Sequence, residues 1–299
     1  MKPIFFVPFF EDKPWGGTRL VELFGKYPAG IRIAQSWELS AVQFRQTCVR
    51  TGQYVGYTLG DLYRTVPELF GTNTSYFPLV IKLMDVTGER PTSINGGWIK
   101  SDADQTDGFY VVEAGENAWL KSGTKLTCSL ELFKSIVADT VVDSLFETQI
   151  ETGNSFVVPS GMLYSIGGGQ VIYQIASPLR ETSLLDDIEK SENQDLEKAF
   201  EAFSFGKPLG FEEQIEIAPG ITRVLETDLF SLERIEAVVP VDCVCTSVFS
   251  AYTALSRGTL RTDQNTYVYS GGDTFLVPAG EGSYRFDGGV LLKATPRQA

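Results

Sequence analysis

Histidine is absent from all 299 residues. That removes the commonest neutral metal ligand and the usual general acid–base near neutral pH. Ser-His-Asp and Cys-His catalysis are excluded outright. Any chemistry has to run on carboxylates, Lys, Arg, Tyr, Cys or a cofactor. Cysteine is sparse as well: Cys48, Cys128, Cys243 and Cys245, with no C-x-x-C pair. Cys243 and Cys245 stand two apart and would share one face of a strand; with no imidazole nearby they read as buried free thiols. So few cysteines fit a reducing compartment. Basic clusters are missing, and the net charge is −13. Such a surface repels nucleic-acid phosphates and anionic lipid, so neither is an expected partner. A local basic pocket for a sugar phosphate remains compatible with it. No stretch of 18 apolar residues offers a membrane span. The apolar opening Met1–Pro8 is short, broken by prolines and unlike a signal peptide. The expectation is a cytoplasmic protein.

What is present is a rhythm of short apolar runs separated by glycine-rich turns. Phe77–Leu83, Phe109–Glu113, Ala118–Lys121, Ser155–Pro159, Gln170–Ile175, Thr266–Tyr269, Thr274–Pro278 and Gly289–Lys293 all read as strands. Many strands at this spacing predict a mostly β chain built as a sandwich or barrel. Helical spacing occurs at about 59–70, with Pro67 as an interruption, and at about 130–145, where Leu130, Phe133, Val137, Val141 and Leu145 fall three or four apart. The acidic stretch 186–202 reads as a solvated connector.

One segment repeats. Gly153-Asn154-Ser155-Phe156-Val157-Val158-Pro159-Ser160-Gly161 matches Gly272-Asp273-Thr274-Phe275-Leu276-Val277-Pro278-Ala279-Gly280 in pattern. A turn glycine, a buried strand and a proline that ends the ladder suit the rim of a barrel. Two copies imply two barrels, each closed against free edges. The pattern resembles that of cupins, so the expected fold is a double cupin: two jelly-roll β-barrels with an inserted helical segment. The boundaries fall at 1–185 for the first barrel, 186–214 for the connector and 215–299 for the second barrel.

Further motifs sharpen the resemblance. Trp15-Gly16-Gly17, Ser36-Trp37-Glu38-Leu39-Ser40, the stretch Leu59–Gly71 ending in Leu-Phe-Gly, Phe77-Pro78-Leu79-Val80-Ile81-Lys82, Val158-Pro159-Ser160-Gly161 and Ile166-Gly167-Gly168-Gly169 occur in that order. In order and spacing they resemble the type I mannose-6-phosphate isomerase family from Pro8 to Pro296. The resemblance implies a zinc site of four ligands: a Gln-x-His pair, a Glu and a second His. Counting from Lys82, those positions fall on Ser93, Asn95, Asp107 and Tyr164. The family's catalytic arginine falls on Leu184, with Arg180 four residues earlier as a possible substitute. None of the metal positions keeps its ligand, and the sequence departs from the family where the family does its chemistry.

Aldose–ketose isomerisation moves a proton between adjacent carbons, and it needs a base and a Lewis acid or cation for the developing oxyanion. A hydroxyl, an amide, one carboxylate and a phenol are a poor cage for zinc. The expectation is therefore no zinc cofactor and no confident catalytic residue. The substrate-binding candidates are Lys82, Asn95, Asp107, Tyr164 and Trp98. Each also has a plainer reading. Asn95 precedes two glycines, as turns do. Tyr164 can line a pocket. Asp107 can bond a loop backbone. Trp15 and Trp37 can pack in the core rather than stack on a sugar, and Lys100 and Arg180 can be solvated. Lys82 on an apolar strand calls for a reason, and a sugar or phosphate oxygen would supply one. Three functions stay open: a sugar- or sugar-phosphate-binding protein without isomerase chemistry, an active mannose-6-phosphate isomerase with a rebuilt metal site, and a metal-independent enzyme working through Asp107 or Tyr164.

Overall fold

The computed structural model describes residues 2–26, 31–72, 74–88, 106–138, 140–177 and 204–297, and the backbone of 93–94 and 183–184. The chain is mostly β, as the turn rhythm predicts. Its strands form an eight-stranded, a six-stranded, a five-stranded and a four-stranded sheet, with antiparallel pairing. Three apolar clusters lie between them. One joins the five- and six-stranded sheets through Phe109, Phe156, Tyr164, Ile166 and Ile172. A second joins the six- and eight-stranded sheets through Leu83, Tyr173, Ile175, Leu232, Leu276 and Leu292. The third joins the eight- and four-stranded sheets through Phe5, Tyr252, Phe275, Tyr284 and Phe286. The result is a stack of four sheets whose two outer spaces are barrel interiors and whose central space cements the barrels together.

The repeated segment forms the same local structure twice. Its strands are Ser155–Pro159 and Thr274–Val277. The glycines before them, Gly153 and Gly272, have φ of 93° and 83°, and those after them, Gly161 and Gly280, have φ of 80° and 76°. These are left-handed conformations that glycine adopts without a Cβ clash. Pro159 ends an edge strand of the six-stranded sheet, where its missing N–H costs no ladder bond. The strand Ile4–Val7 pairs with Thr274–Val277 in the eight-stranded sheet, with Ile4 opposite Leu276 and Phe5 opposite Phe275.

Helices are short. Helix α1 covers Arg19–Phe24, α2 Leu59–Thr65 and α3 Ser129–Val137. As the sequence suggests, the 59–70 segment breaks at Pro67, which starts a separate 3-10 turn, Pro67–Leu69. The 130–145 segment is shorter than its spacing predicts. Helix α3 stops at Val137, and a second turn covers Val142–Ser144. Leu132 and Leu145 are buried while Leu130 and Val137 face solvent, so the apolar spacing did not mark one continuous buried stripe. The acidic stretch 186–202 lies outside the described residues.

Helix α1 takes its cap from far along the chain. Thr18 makes no side-chain cap. Asp85 Oδ2 instead accepts the Arg19 N–H at 2.7 Å. Burial pushes the Asp85 carboxyl up, and the backbone N–H groups of Arg19 and Leu20 pull it only part of the way back. A carboxyl raised in the folded state favours folding below its unfolded pKa and loses that contribution as pH rises through the folded value. Asp85→Asn keeps a carbonyl acceptor for Arg19 and has no charge to bury. Its stability relative to the parent is expected to improve between about pH 3.5 and pH 7, as read by urea unfolding at the two values. A constant difference would contradict this account.

Candidate functional site

The second barrel's interior is filled by rings. Phe275 lies 5.0 Å from Phe5, 5.3 Å from Tyr252 and 5.8 Å from Tyr269, centroid to centroid. Cys243 and Cys245 are buried free thiols in this packing, as expected, and burial pushes the Cys243 thiol up to about 11. Cys48 is partly exposed and Cys128 exposed. Buried polar side chains with ligand-like chemistry gather instead in the first barrel, on the six-stranded sheet.

Strand register arranges this face in rows. One row crosses all six strands: Phe156, Phe109, Gln174, Lys82, Trp37 and Phe9. The row on one side holds Val158, Asp107, Ala176 and Val80. The row on the other holds Val111, Ile172 and Met84, then Gln35 and Glu11 at the sheet's edge. Asp107, Gln174 and Lys82 therefore form one polar island beside an apolar floor. Directly opposite residues on a sheet share a face, and diagonal neighbours lie within reach of long side chains.

Each member of the island is held. Asp107 is fully buried, and its Oδ2 accepts a hydrogen bond from Gln174 Nε2 at 3.0 Å. Gln174 is itself 3% exposed, and its Oε1 meets no hydrogen-bond donor among the described residues. Lys82 Nζ lies 3.8 Å from the centre of the Trp37 ring, a cation–π contact. Arg45 approaches the same ring at 5.3 Å. Trp37 donates its indole N–H to Glu11 at 2.8 Å, and Arg45 Nε donates to Glu11 at 3.0 Å. Burial raises the Glu11 carboxyl, but the Trp37 and Arg45 bonds outweigh it and hold the group below its usual range. Trp37 and Trp15 are both buried, so they pack rather than offer an open stacking face. Tyr164 is fully buried, with its ring 5.8 Å from that of Phe109.

Register also brings together residues far apart in sequence. Ser93 lies opposite Tyr164 on one side and opposite Leu184 on the other. Three positions that the family resemblance carries to the metal and the catalytic arginine thus stand in one cross-strand row of the five-stranded sheet. Asp107 belongs to the facing sheet. Asn95, Trp98, Lys100 and Arg180 lie outside the described residues, as does all but the backbone of Ser93 and Leu184.

The described part of this donor set does not fit zinc. The metal prefers imidazole, thiolate and carboxylate, and a phenol of ordinary pKa of about 10 is a weak ligand. One oxygen of Asp107 already faces an amide hydrogen. No group of three or more His, Cys, Asp or Glu residues able to hold a metal occurs among the described residues.

Gln174 is the residue that sequence reading missed. The signal was there: Gln170–Ala176 is a strand buried at every position, and a glutamine in its middle needs a polar partner.

The chain matches no family model. It is similar to curated proteins along nearly its whole length. A mannose-6-phosphate isomerase of Streptococcus mutans is 25% identical over 309 residues, 98% of each chain. The mannose-6-phosphate isomerase ManA of Bacillus subtilis is 24% identical over 311 residues, 96% of each. Among solved structures, the Bacillus subtilis mannose 6-phosphate isomerase superposes with a TM-score of 0.88 at 24% identity, covering 99% of both chains. A putative mannosephosphate isomerase from Archaeoglobus fulgidus gives a TM-score of 0.78 at 19% identity, covering 99% of this chain and 98% of its own. Another similar structure is a mannose 6-phosphate isomerase bound with zinc and yttrium, with a TM-score of 0.77 at 11% identity and coverage of 99% and 100%.

Proposed function

We infer, from a likeness to mannose-6-phosphate isomerases that runs nearly end to end, that this chain is their carbohydrate-binding relative and does not perform zinc-assisted aldose–ketose isomerisation. The reading places a sugar or sugar phosphate in the first barrel, taken as residues 1–185, with 186–214 as connector and 215–299 as second barrel. The observation that carries it is the polar island on the six-stranded sheet. One carboxylate, Asp107, is tied to an amide, and Lys82 stands beside them on a tryptophan face. These groups can accept and donate hydrogen bonds to hydroxyls, but they assemble no firm cage for a Lewis acid. Without one, the inherited position loses the stabilisation that a metal gives the enediolate oxygen. Lys82 would meet a ligand oxygen, while Asn95 and Trp98 complete the candidate set from the sequence. The same reading makes the protein a pseudoenzyme of the cytoplasm. No described helix is long and apolar enough to cross a membrane.

Two measurements on the purified full chain test this. Elemental analysis is expected to find less than stoichiometric zinc, and a coupled assay is expected to find no conversion of mannose 6-phosphate to fructose 6-phosphate, with or without added zinc. Calorimetry against mannose 6-phosphate, fructose 6-phosphate and the free sugars is expected to show binding of at least one. The rival reading is an active isomerase with a rebuilt metal site, favoured by the names and full-length match of the relatives. Stoichiometric zinc with turnover abolished by a chelator would establish that rival and remove ours.

A further inference from the structure

We propose that Cys243 and Cys245 form a two-thiolate site for a soft monovalent cation, copper(I), inside the second barrel. The site is separate from the sugar-binding reading of the first barrel and does not depend on it. Both cysteines lie on the strand Val241–Cys245, where they are buried and the residues beside them, Asp242 and Val244, are exposed. Side chains two apart on a strand leave the same face, so the two thiols enter the barrel side by side. Cys245 Sγ donates to the Val248 carbonyl at 3.1 Å and to that of Val277 at 3.7 Å. Cys243 meets the Tyr252 hydroxyl, and Cys245 meets Ser250. Both sulfurs are free thiols. Cys243 stands opposite Tyr284 as Ser93 stands opposite Tyr164 in the first barrel, and each tyrosine follows a Pro-x-Gly rim turn. The pair therefore sits near the rim of its barrel, and the two residues after Cys245, Thr246 and Ser247, are exposed.

Neighbouring thiols can close a disulfide or share a metal. Alternate residues of a strand stand about 6.6 Å apart, near the far limit of Cα separation for a disulfide, and their parallel side chains keep the sulfurs from an S–S bond of about 2.05 Å. A metal between them relaxes that demand. With metal–sulfur bonds of about 2.3 Å, a linear sulfur–metal–sulfur bridge spans about 4.6 Å. Zinc wants four ligands, and no group of three or more His, Cys, Asp or Glu able to hold a metal stands among the described residues. Copper(I) is soft, prefers thiolate, and is satisfied by two in line. Binding displaces two thiol protons, so two thiolates and one Cu⁺ leave a single net negative charge. Burial pushes both thiols up, and the Lys293 ammonium pulls both back. Lys293 is largely buried and held by Glu233 at 2.9 Å. Glu233 and Asp242 oppose ionisation at Cys243, and Glu281 opposes it at Cys245. The sulfur–copper bonds, rather than the surrounding field, therefore carry the affinity.

The test uses the full chain carrying Cys48→Ser and Cys128→Ser, so that Cys243 and Cys245 are its only cysteines. Copper(I) is titrated in under nitrogen with ascorbate, against bathocuproine disulfonate as competing chelator. One copper(I) per chain is expected, with two sulfur neighbours by X-ray absorption, and a tenfold excess of zinc is expected not to displace it. Adding Cys243→Ala or Cys245→Ala is expected to weaken uptake by at least about a hundredfold, more than the loss of an outer partner of a metal site brings. Circular dichroism confirms that each variant is folded; should an alanine variant not fold, Cys243→Val or Cys245→Val fills the same space and is read in its place. No uptake by the two-cysteine chain, copper with fewer than two sulfur neighbours, displacement by zinc, or uptake unchanged by loss of either thiol overturns the assignment.

Discussion

Lys26→Met is expected to lower stability by about 3–5 kcal/mol, because it strands a buried carboxylate. Lys26 and Glu38 are 6% and 1% exposed, and the Lys26 ammonium lies 2.7 Å and 2.8 Å from the two Glu38 oxygens. The ammonium also donates to the Gly272 carbonyl at 2.6 Å, and Ser36 and Thr274 donate their hydroxyls to Glu38. The cluster is thus fully bonded, and it ties the six-stranded sheet to the eight-stranded one. Breaking such a pair on one side costs far more than replacing both partners by apolar groups. Lys26→Met together with Glu38→Leu should therefore recover most of the loss. Urea midpoints of the parent, the single and the double variant decide the matter. A double variant no more stable than Lys26→Met alone would show that the hydroxyls, not the ion pair, carry the cluster.

Phe275→Ala is expected to cost a similar amount, about 3–5 kcal/mol, by opening a cavity inside the second barrel. Its ring is fully buried and lies near those of Phe5, Tyr252, Tyr269 and Phe286. The aromatic pairings add to the loss beyond area alone, by about 0.5–1.5 kcal/mol each. Phe275→Leu, which keeps most of the volume, should lose clearly less. Thermal unfolding of the two variants beside the parent reads the order, and equal losses would mean that the site collapses onto either side chain.

Sequence reading captured what repeats and what is local. Ser155–Pro159 and Thr266–Tyr269 are strands over the bounds their composition suggests, and the echo around Pro159 and Pro278 marks equivalent strands of two barrels. Pro67 ended a helix because it removes an N–H that the helix needs. Other features join residues far apart and leave no local trace. Asp85 caps a helix at Arg19, and Glu38 meets Thr274 across two sheets. The strand expected at Phe77–Leu83 begins at Val80 and runs on to Val86, because Pro78 supplies no N–H to a ladder. At the candidate site, the resemblance carries family positions to Asp107 and Tyr164 through spacing, and strand register sets Leu184, Ser93 and Tyr164 in one row. Gln174 escaped because its hydrogen-bond partner, Asp107, lies 67 residues away rather than among its neighbours.

The pairing of Ile4–Val7 with Thr274–Val277 has a consequence for how the molecule is made. The Ile-Phe-Phe-Val segment leaves the ribosome long before the segment that hydrogen-bonds with it. Until that segment follows, this sticky apolar stretch has no native neighbour on that side. The eight-stranded sheet can close only after the last barrel strands leave the exit tunnel, so the newborn chain stays exposed to aggregation and to chaperones until then.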